Sequence, residues 1–499
     1  MNEDKQKLIN FRPLFCVAAY FAAGIACAYC FCFMLPLAVI LTVILAAVSV
    51  LLVVLSKNRK TLLLCALCFV LTALLGGGYS YSKIYAAAHA PEKSGSVRVY
   101  ATVDRVSRFE KGYRITFRNV VISGEKSSDG IGYVYCDDEP LIGARWNFVC
   151  NVAKAYNGTA TNFEVFRGKH YSFSRLKDIR VVGDESTLPE KAFRFSKTVL
   201  KSGMNAEGYA LSVALLLGDT SMIGDKINVY RMAGIAHVFA VSGLHIGLFF
   251  SIFAFIAAKF KLKCIPRLLF ILIPTLFYCL ICGFRPSSVR ALIMATVSLL
   301  AAEVGFKRDS ISSLSVALFI VLCIQPFYLF DIGTQLSFMA VAGITSLAPM
   351  FKRGAQYVGK LGDALSVSLG ASIGTLPILV DMSGYISIIS IFANIVFVPL
   401  LGILYQFTVI CMFAAFIEWL IVGSASVTLF LPSVLLTFVG DAVAFFDFSL
   451  FTAPLNFGYA ALFYYFGLFF VTDYLNISKI AKAIIAALSF VLMLVILIV

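Results

Sequence analysis

The sequence predicts a polytopic α-helical membrane protein that carries an inserted extracytoplasmic β-barrel domain. Three observations carry that expectation. Of 499 residues, 60% are hydrophobic and only 14% are charged. The mean hydropathy of +0.91 excludes an ordinary soluble globular chain. Apolar windows long enough to cross ~30 Å of hydrocarbon as a helix recur along the chain, and hydropathy gives roughly twelve spans. One stretch, residues 83–190, breaks the pattern with short β-branched runs between polar residues.

Residues 1–82 read as N-terminal transmembrane helices, with spans at 14–33, 35–55 and 61–79. Lys5, Lys7 and Arg12 precede the first span, and Lys57, Arg59 and Lys60 lie before the third. Basic loops stay in the cytoplasm, so the third span exits and the polar region is extracytoplasmic. The first apolar run leads straight into a second, which reads as an anchor rather than a cleaved signal peptide.

Within 83–190, "VRVYATVDRV", "YRITFRNVVI", "IGYVYCD" and "RWNFVCNVAKAY" approximate period-two alternation. Short strands in this number fit a small barrel of oligonucleotide-binding (OB) type. Cys136 and Cys150 face an oxidising compartment on this reading. A disulfide between them is expected if their strands pair. Arg98, Arg105, Arg108, Lys111, Arg114 and Arg118 interleave with Tyr100, Phe109, Tyr113 and Phe117. Basic groups track a nucleic-acid backbone and exposed aromatic faces stack bases. An ordinary barrel with aromatics inside and solvated charges outside would show the same pattern, and the sequence leaves both readings open.

Residues 191–234 read as amphipathic, interfacial connecting helices. "FRFSKTVLKSGM" sets basic residues beside an apolar face. "EGYALSVALLLGD" is short for a span and reads as a re-entrant or partly buried helix. Residues 235–499 form a second transmembrane domain, with spans at 236–258, 265–283, 287–304, 311–328, 330–350 and 362–380. Every second loop is basic: Lys259, Lys261, Lys263 and Arg267, then Lys307 and Arg308, then Lys352, Arg353 and Lys360. Residues 385–421 are too long for one span, and Pro399 is expected to break them. Spans near 423–446, 455–473 and 478–499 follow, and no further soluble domain is expected. The formal charge of +14 is first a topology signal. What remains suits a polyanionic substrate or anionic lipid.

Most of the thirteen cysteines lie in apolar spans. Cys65/Cys68 and Cys279/Cys282 form CxxC pairs without a histidine or acidic partner, so they read as packing residues. No metal or cofactor is expected.

"HVFAVSGLHIG", residues 237–247, holds two of the four histidines where lipid should be. Ser242 and His245 share a helix face, and Gly243 permits an unwound backbone. The stretch reads as a discontinuous helix at a water-filled site. Interhelical hydrogen bonding is the competing reading. "CGFRPSSVRALIM" adds Arg285 and Arg290. "DIGTQLSF" adds Asp331, Thr334, Gln335 and Ser337. "GTLPILVDMSGYISIISIFANIVFVP" adds Thr375, Asp381 and Asn394. Polar groups recurring over several spans point to a lined pathway.

"GDTSMIGDKINVYRMAGIAHVFAVSGLHIGLFF", together with "GFRPSSVRALIM", "GTQLSF" and "TLPILV…SGYISI…ANIVFVPL", resembles the ComEC competence-channel family over nearly the whole chain. The resemblance implies an OB-like domain followed by a competence-type transmembrane channel domain at 235–499. It implies passage of single-stranded DNA across the bacterial inner membrane during natural transformation. Asp219, His237, Ser242, His245, Arg285 and Arg290 match positions in its motifs, and Gly243, Gln335 and Asn394 join them as pore or motif candidates. Implied partners are DNA, membrane lipid, a DNA-receptor protein outside, a separate nuclease and a cytoplasmic ATPase. The chain departs from the family in two places. It has no metallo-β-lactamase-like domain and no HxHxDH cluster; its other histidines are His89 and His170. The segment after the OB-like region reads "TATNFEVFRGK" where many members read like Asn-Pro-Gly-Gly-Phe-Asp.

The chain therefore reads as a channel rather than an enzyme. Two rivals stand beside it, an intramembrane serine protease using Ser242 and a small-anion or lipid-linked transporter. Neither accounts for the OB-like region. "GAQYVGKL" nearly spells a P-loop, but Leu361 replaces the Mg²⁺-binding hydroxyl residue.

Overall fold

The computed structural model describes residues 13–33, 59–91, 95–109, 112–136, 139–156, 163–224, 226–239, 241–305, 309–355, 359–387, 389–445, 452–454, 457–458, 460–471 and 479–498. The span expected at 35–55 lies outside the described residues, as does the candidate Lys111.

Helix α1 (Pro13–Phe33) packs against α2 (Arg59–Ala88). Helix α2 runs past the polar onset near 83, because "KIYAAA" favours helix and its last turns are buried. Ile84 and Ala87 pack with Val165, Phe166 and Phe327 in one apolar cluster. That cluster fixes the strand-rich region to the helical one.

Six strands follow: β1 (Gly95–Phe109), β2 (Gly112–Ile122), β3 (Glu125–Lys126), β4 (Asp129–Val134), β5 (Ala144–Lys154) and β6 (Lys169–Asp184). A short helix α3 (Phe163–Phe166) precedes β6. The pairings run β1–β5–β6–β4–β2 and return to β1. β4 and β6 are parallel, and the other pairs are antiparallel. Alternation along β5 buries Ala144, Trp146, Phe148, Cys150 and Val152 in turn. Their partners in the sheet core include Phe117, Tyr171 and Phe173. The Phe117 ring lies 5.2 Å from Phe148 and 5.8 Å from Phe173, within the range of favourable aromatic pairs.

The expected disulfide between Cys136 and Cys150 does not form, and both remain thiols. The condition for the bridge was that their strands pair. Instead β6 lies between β4 and β5 in the strand order, and Cys150 stands opposite Val97 of β1. Burial pushes the Cys150 thiol up to about 12, so it stays protonated and inert.

Helices α4 (Leu188–Gly203) and α5 (Ala206–Leu217) form a hairpin. Thr187 and Glu190 cap α4 reciprocally. The apolar side of α4 buries Val199 and Leu200, and α5 is buried from Leu211 to Leu217, so α5 is the partly buried helix its sequence predicts. Gly218 ends α5 in the left-handed region, at φ 70°.

After α6 (Lys226–Met232) come α7 (Gly243–Lys259), α8 (Cys264–Ile281), α9 (Pro286–Val304), α10 (Ser310–Ile324), α11 (Ile332–Ala355) and α12 (Gly359–Ser383). Then follow α13 (Ser390–Val422), α14 (Ser426–Phe445), α15 (Ala460–Val471) and α16 (Lys479–Ile498). A two-stranded ribbon pairs β7 (Tyr385–Ser387) with β8 (Thr452–Pro454). Among the described residues, α9, α11, α12, α13 and α14 are long and apolar enough to cross a membrane. The chain is a polytopic helical membrane protein with a sheet domain inserted in it.

Two expectations change. The helix expected from 236 begins only at Gly243, after a 3-10 turn at Ala236–Val238. Pro399 does not break the 385–421 segment, because α13 is continuous for 33 residues. An interior proline removes one main-chain hydrogen bond, and the remaining ladder carries the helix through it.

Candidate functional site: helix ends tied around two arginines

Four helix ends meet where the sequence motifs concentrate. Helix α5 ends at Gly218, α7 begins after Ser242, α8 ends at Cys282 and α9 begins after Arg285. Their unsatisfied backbone groups define the local chemistry.

At the start of α7, Ser242 is the N-cap. Its Oγ accepts from the Leu244 N–H at 3.3 Å. The Ser242 N–H donates to His245 Nδ1 at 3.1 Å. His245 thus takes the place that Glu or Gln holds in an ordinary capping box. His245 is 1% exposed and meets the Tyr405 ring edge-on at 4.8 Å. Ser242 Oγ also lies 3.1 Å from Nδ1, but the lone pair there already receives a backbone proton. A methyl group at Gly243 would meet Arg290 Nη2, so a side chain there would displace the guanidinium.

Arg285, the N-cap of α9, donates from Nη2 to Gly218 O at 2.9 Å, which closes the end of α5. Tyr278 adds a bond to Leu216 O at 2.6 Å. Ser287 Oγ donates to Val241 O at 3.1 Å. Arg290 is 5% exposed. Its Nη1 donates to Ser337 O at 2.8 Å, its guanidinium lies over Phe338, and among the described residues its Nε has no hydrogen-bond partner. Among the described residues neither arginine forms an ion pair with a carboxylate. Among the described residues the buried Ser288 Oγ and Asn394 Oδ1 also lack partners.

The remaining candidates sit around this centre. His237 holds Gly234 O through Nδ1 at 3.0 Å. Gln335 Nε2 donates to Leu329 O at 3.0 Å. Asp331 caps α11 through Thr334 and pairs with Arg167 at 3.2 Å. Asp219 lies beyond Gly218, where Lys197 bridges it and Glu139 at 2.9 Å each. Burial disfavours both charges of the Lys197–Asp219 pair, and their mutual attraction outweighs it. The Asp219 carboxyl is held below the usual range and the Lys197 ammonium above it.

The sheet domain rests on this knot. Arg105 donates to Gly283 O and Arg108 to Ser221 O, both at 3.4 Å. Two sequence candidates therefore reach the helix-end loops. Arg98 is exposed on β1, apart from those loops. Tyr113 packs against the sheet core, and Phe117 lies within it. Among the described residues of the sheet domain, the exposed aromatics are Tyr133 and Tyr135 of "IGYVYCD", 44% and 73% exposed. Tyr133 stands opposite Arg114 in the β2–β4 register. The reading of the sequence missed both, although their alternation with buried Val134 marked them. It also missed Lys197 and Glu139, whose meeting no spacing encodes.

Two small cavities lie nearby. One, of about 20 Å³, is bounded by Phe284, Pro286, Val289 and Tyr328, and the other is apolar around Leu211, Tyr230 and Phe239. Among the described residues no three His, Cys, Asp or Glu side chains gather as metal ligands.

The fold and site define a polytopic membrane protein whose helix ends hold two arginines, Arg285 half-buried and Arg290 buried, beside an inserted sheet domain. Residues 215–477, the part containing this knot, match the family model described as Competence protein, and the chain belongs to that family. It is 30% identical over 187 residues to ComE operon protein 3 of Bacillus subtilis (strain 168), covering 37% of this chain and 24% of that protein. It is 24% identical over 359 residues to Competence protein ComA of Neisseria gonorrhoeae, covering 66% of this chain and 50% of that one. An uncharacterized protein of Aquifex aeolicus (strain VF5) is 27% identical over 309 residues, covering 58% of this chain and 70% of its own. The chain thus spans a quarter to a half of the two named relatives. No solved structure matches.

Proposed function

We propose that this chain is an inner-membrane channel for single-stranded DNA, which it passes into the bacterial cytoplasm during natural transformation. The carrying observation is Arg290, buried in the first turns of α9, with Arg285 half-buried at its N-cap, neither in an ion pair with a carboxylate among the described residues. A buried guanidinium without a counter-charge is costly in a membrane bundle. A passing phosphodiester supplies that charge, and the N-termini of α7 and α9 add positive dipole ends.

We read the closed strand cycle as an OB-type barrel on the extracytoplasmic side. Tyr133 and Tyr135 offer stacking faces, with Arg98, Arg105 and Arg114 tracking the backbone. Membership in a competence family supports the DNA reading. The energy is assigned to a cytoplasmic ATPase, because a negative interior opposes anion import. Second-strand degradation is assigned to a separate nuclease, and delivery to a DNA receptor outside.

We assign the chain no catalytic role. The Ser242–His245 contact that a serine-protease reading would use is a helix cap, and His245 Nδ1 already accepts the Ser242 N–H.

The test is labelled-DNA uptake by a competent strain lacking the chain, complemented with parent, Arg290→Gln or His245→Ala. DNA is scored as surface-bound or nuclease-protected. The channel reading expects the deletion to bind DNA without protecting it. It expects Arg290→Gln, at parental protein levels, to do the same. Unchanged protection in the deletion overturns it.

A further inference from the structure

We infer that the far half of β6 and the turn into α4 form a lipid-contact rim that seats the sheet domain on an anionic bilayer surface. This rests on the membrane-protein fold and not on the DNA reading.

β6 pairs with β4 only from Lys169 to Phe173, so from Ser174 to Asp184 that edge has no partner strand among the described residues. Exposed aliphatic side chains collect there. Val181 is 68% exposed, Val182 56% and Leu188 70%. Leu141, also exposed, adjoins them through the loop whose Gly143 O accepts the Glu185 N–H at 2.9 Å.

The charges around this patch are one-sided. Asp184 pairs with Arg194, Glu185 with Arg145 and Glu190 with Arg118. Arg175, Lys177, Arg180 and Lys191 are exposed and form no ion pair among the described residues. Among the described residues Asp178 is the one acid there without an ion pair. Aliphatic groups flanked by free basic side chains match the interface of an anionic membrane.

The backbone argues against another strand as the occupant. Arg175 and Asp178 adopt positive φ, 53° and 50°, and the β5–β6 register shifts beside them. A bulged edge carrying basic residues is a poor template for strand addition. The rim's place in the chain argues for the bilayer. It leads directly into α4, which packs on α13, α14 and α8, and Phe195 of α4 meets Phe416 and Trp419 of α13 edge-on.

The test places the photo-crosslinking amino acid p-benzoylphenylalanine at Val182 in the full chain, reconstituted in vesicles. One set is phosphatidylcholine, and the other adds phosphatidylglycerol. The expected result is a phospholipid adduct, stronger with phosphatidylglycerol and reduced about fivefold by Lys177→Gln, the factor that ~1 kcal/mol per basic residue gives. The same crosslinker at Leu188 gives a second reading if the Val182 variant folds poorly. An adduct to a second copy of the chain, or none at either position, overturns the inference. No DNA is present, so the outcome is independent of the channel reading.

Discussion

At the residue scale the site is a set of helix caps. Gly218 holds a left-handed conformation, and a methyl group there would meet Val241 Cγ2 at 2.7 Å. Gly218→Ala is therefore expected to cost about 2 kcal/mol, the left-handed penalty plus overpacking. Thermal unfolding in detergent, compared with the parent, checks this. Ser242→Ala removes one cap acceptor and should cost about 1 kcal/mol. DNA protection should fall only partly, and Ser242→Asp, another good N-cap, should restore it. Complete loss in Ser242→Ala with no rescue by aspartate would revive the protease reading. His245 and Ser242 were legible as a special pair from their spacing. Their capping geometry was not, because hydropathy starts the helix at 236 while the cap sets its start at Gly243.

At the element scale, the Lys197 bridge joins α4, the loop after α5 and the sheet-domain loop at Glu139. The Asp219 carboxyl is held low in the folded chain. Its contribution is thus present above the unfolded carboxylate value, ~3.9, and is lost as pH falls through the lower folded value. Lys197 is held high, so its contribution persists until strongly alkaline pH. Docking of the sheet domain is expected to be constant from neutral pH down to about 5 and to loosen below about 4. Hydrogen exchange in the 218–221 loop measures it, and Asp219→Asn should flatten the profile. A profile unchanged in Asp219→Asn would remove the bridge from the account.

At the scale of the whole molecule, the sheet domain and the helix knot act as one unit through Arg105, Arg108 and the apolar cluster at Ile84, Phe166 and Phe327. Tyr133→Ala with Tyr135→Ala is expected to weaken single-stranded oligonucleotide binding by about 1–3 kcal/mol per lost stack, while thermal stability stays parental because both rings are exposed. Titration of the purified chain with a fluorescent oligonucleotide, at fixed salt, gives the number. Equal affinity in parent and variant would move the DNA contact off this face.

The sequence by itself determined the membrane class, the inserted strand-rich segment and most helix positions. Hydropathy and period-two alternation are local properties, and burial in lipid or in a sheet core imposes them directly. It also marked the motif residues, through polar groups where hydrocarbon should be. Only the tertiary structure decided that β4, which Cys136 follows, does not pair with β5, which holds Cys150, that Pro399 leaves α13 continuous, and that Arg285 closes the end of α5. Strand order and the partner of a guanidinium depend on residues far apart in the chain, which no local pattern records.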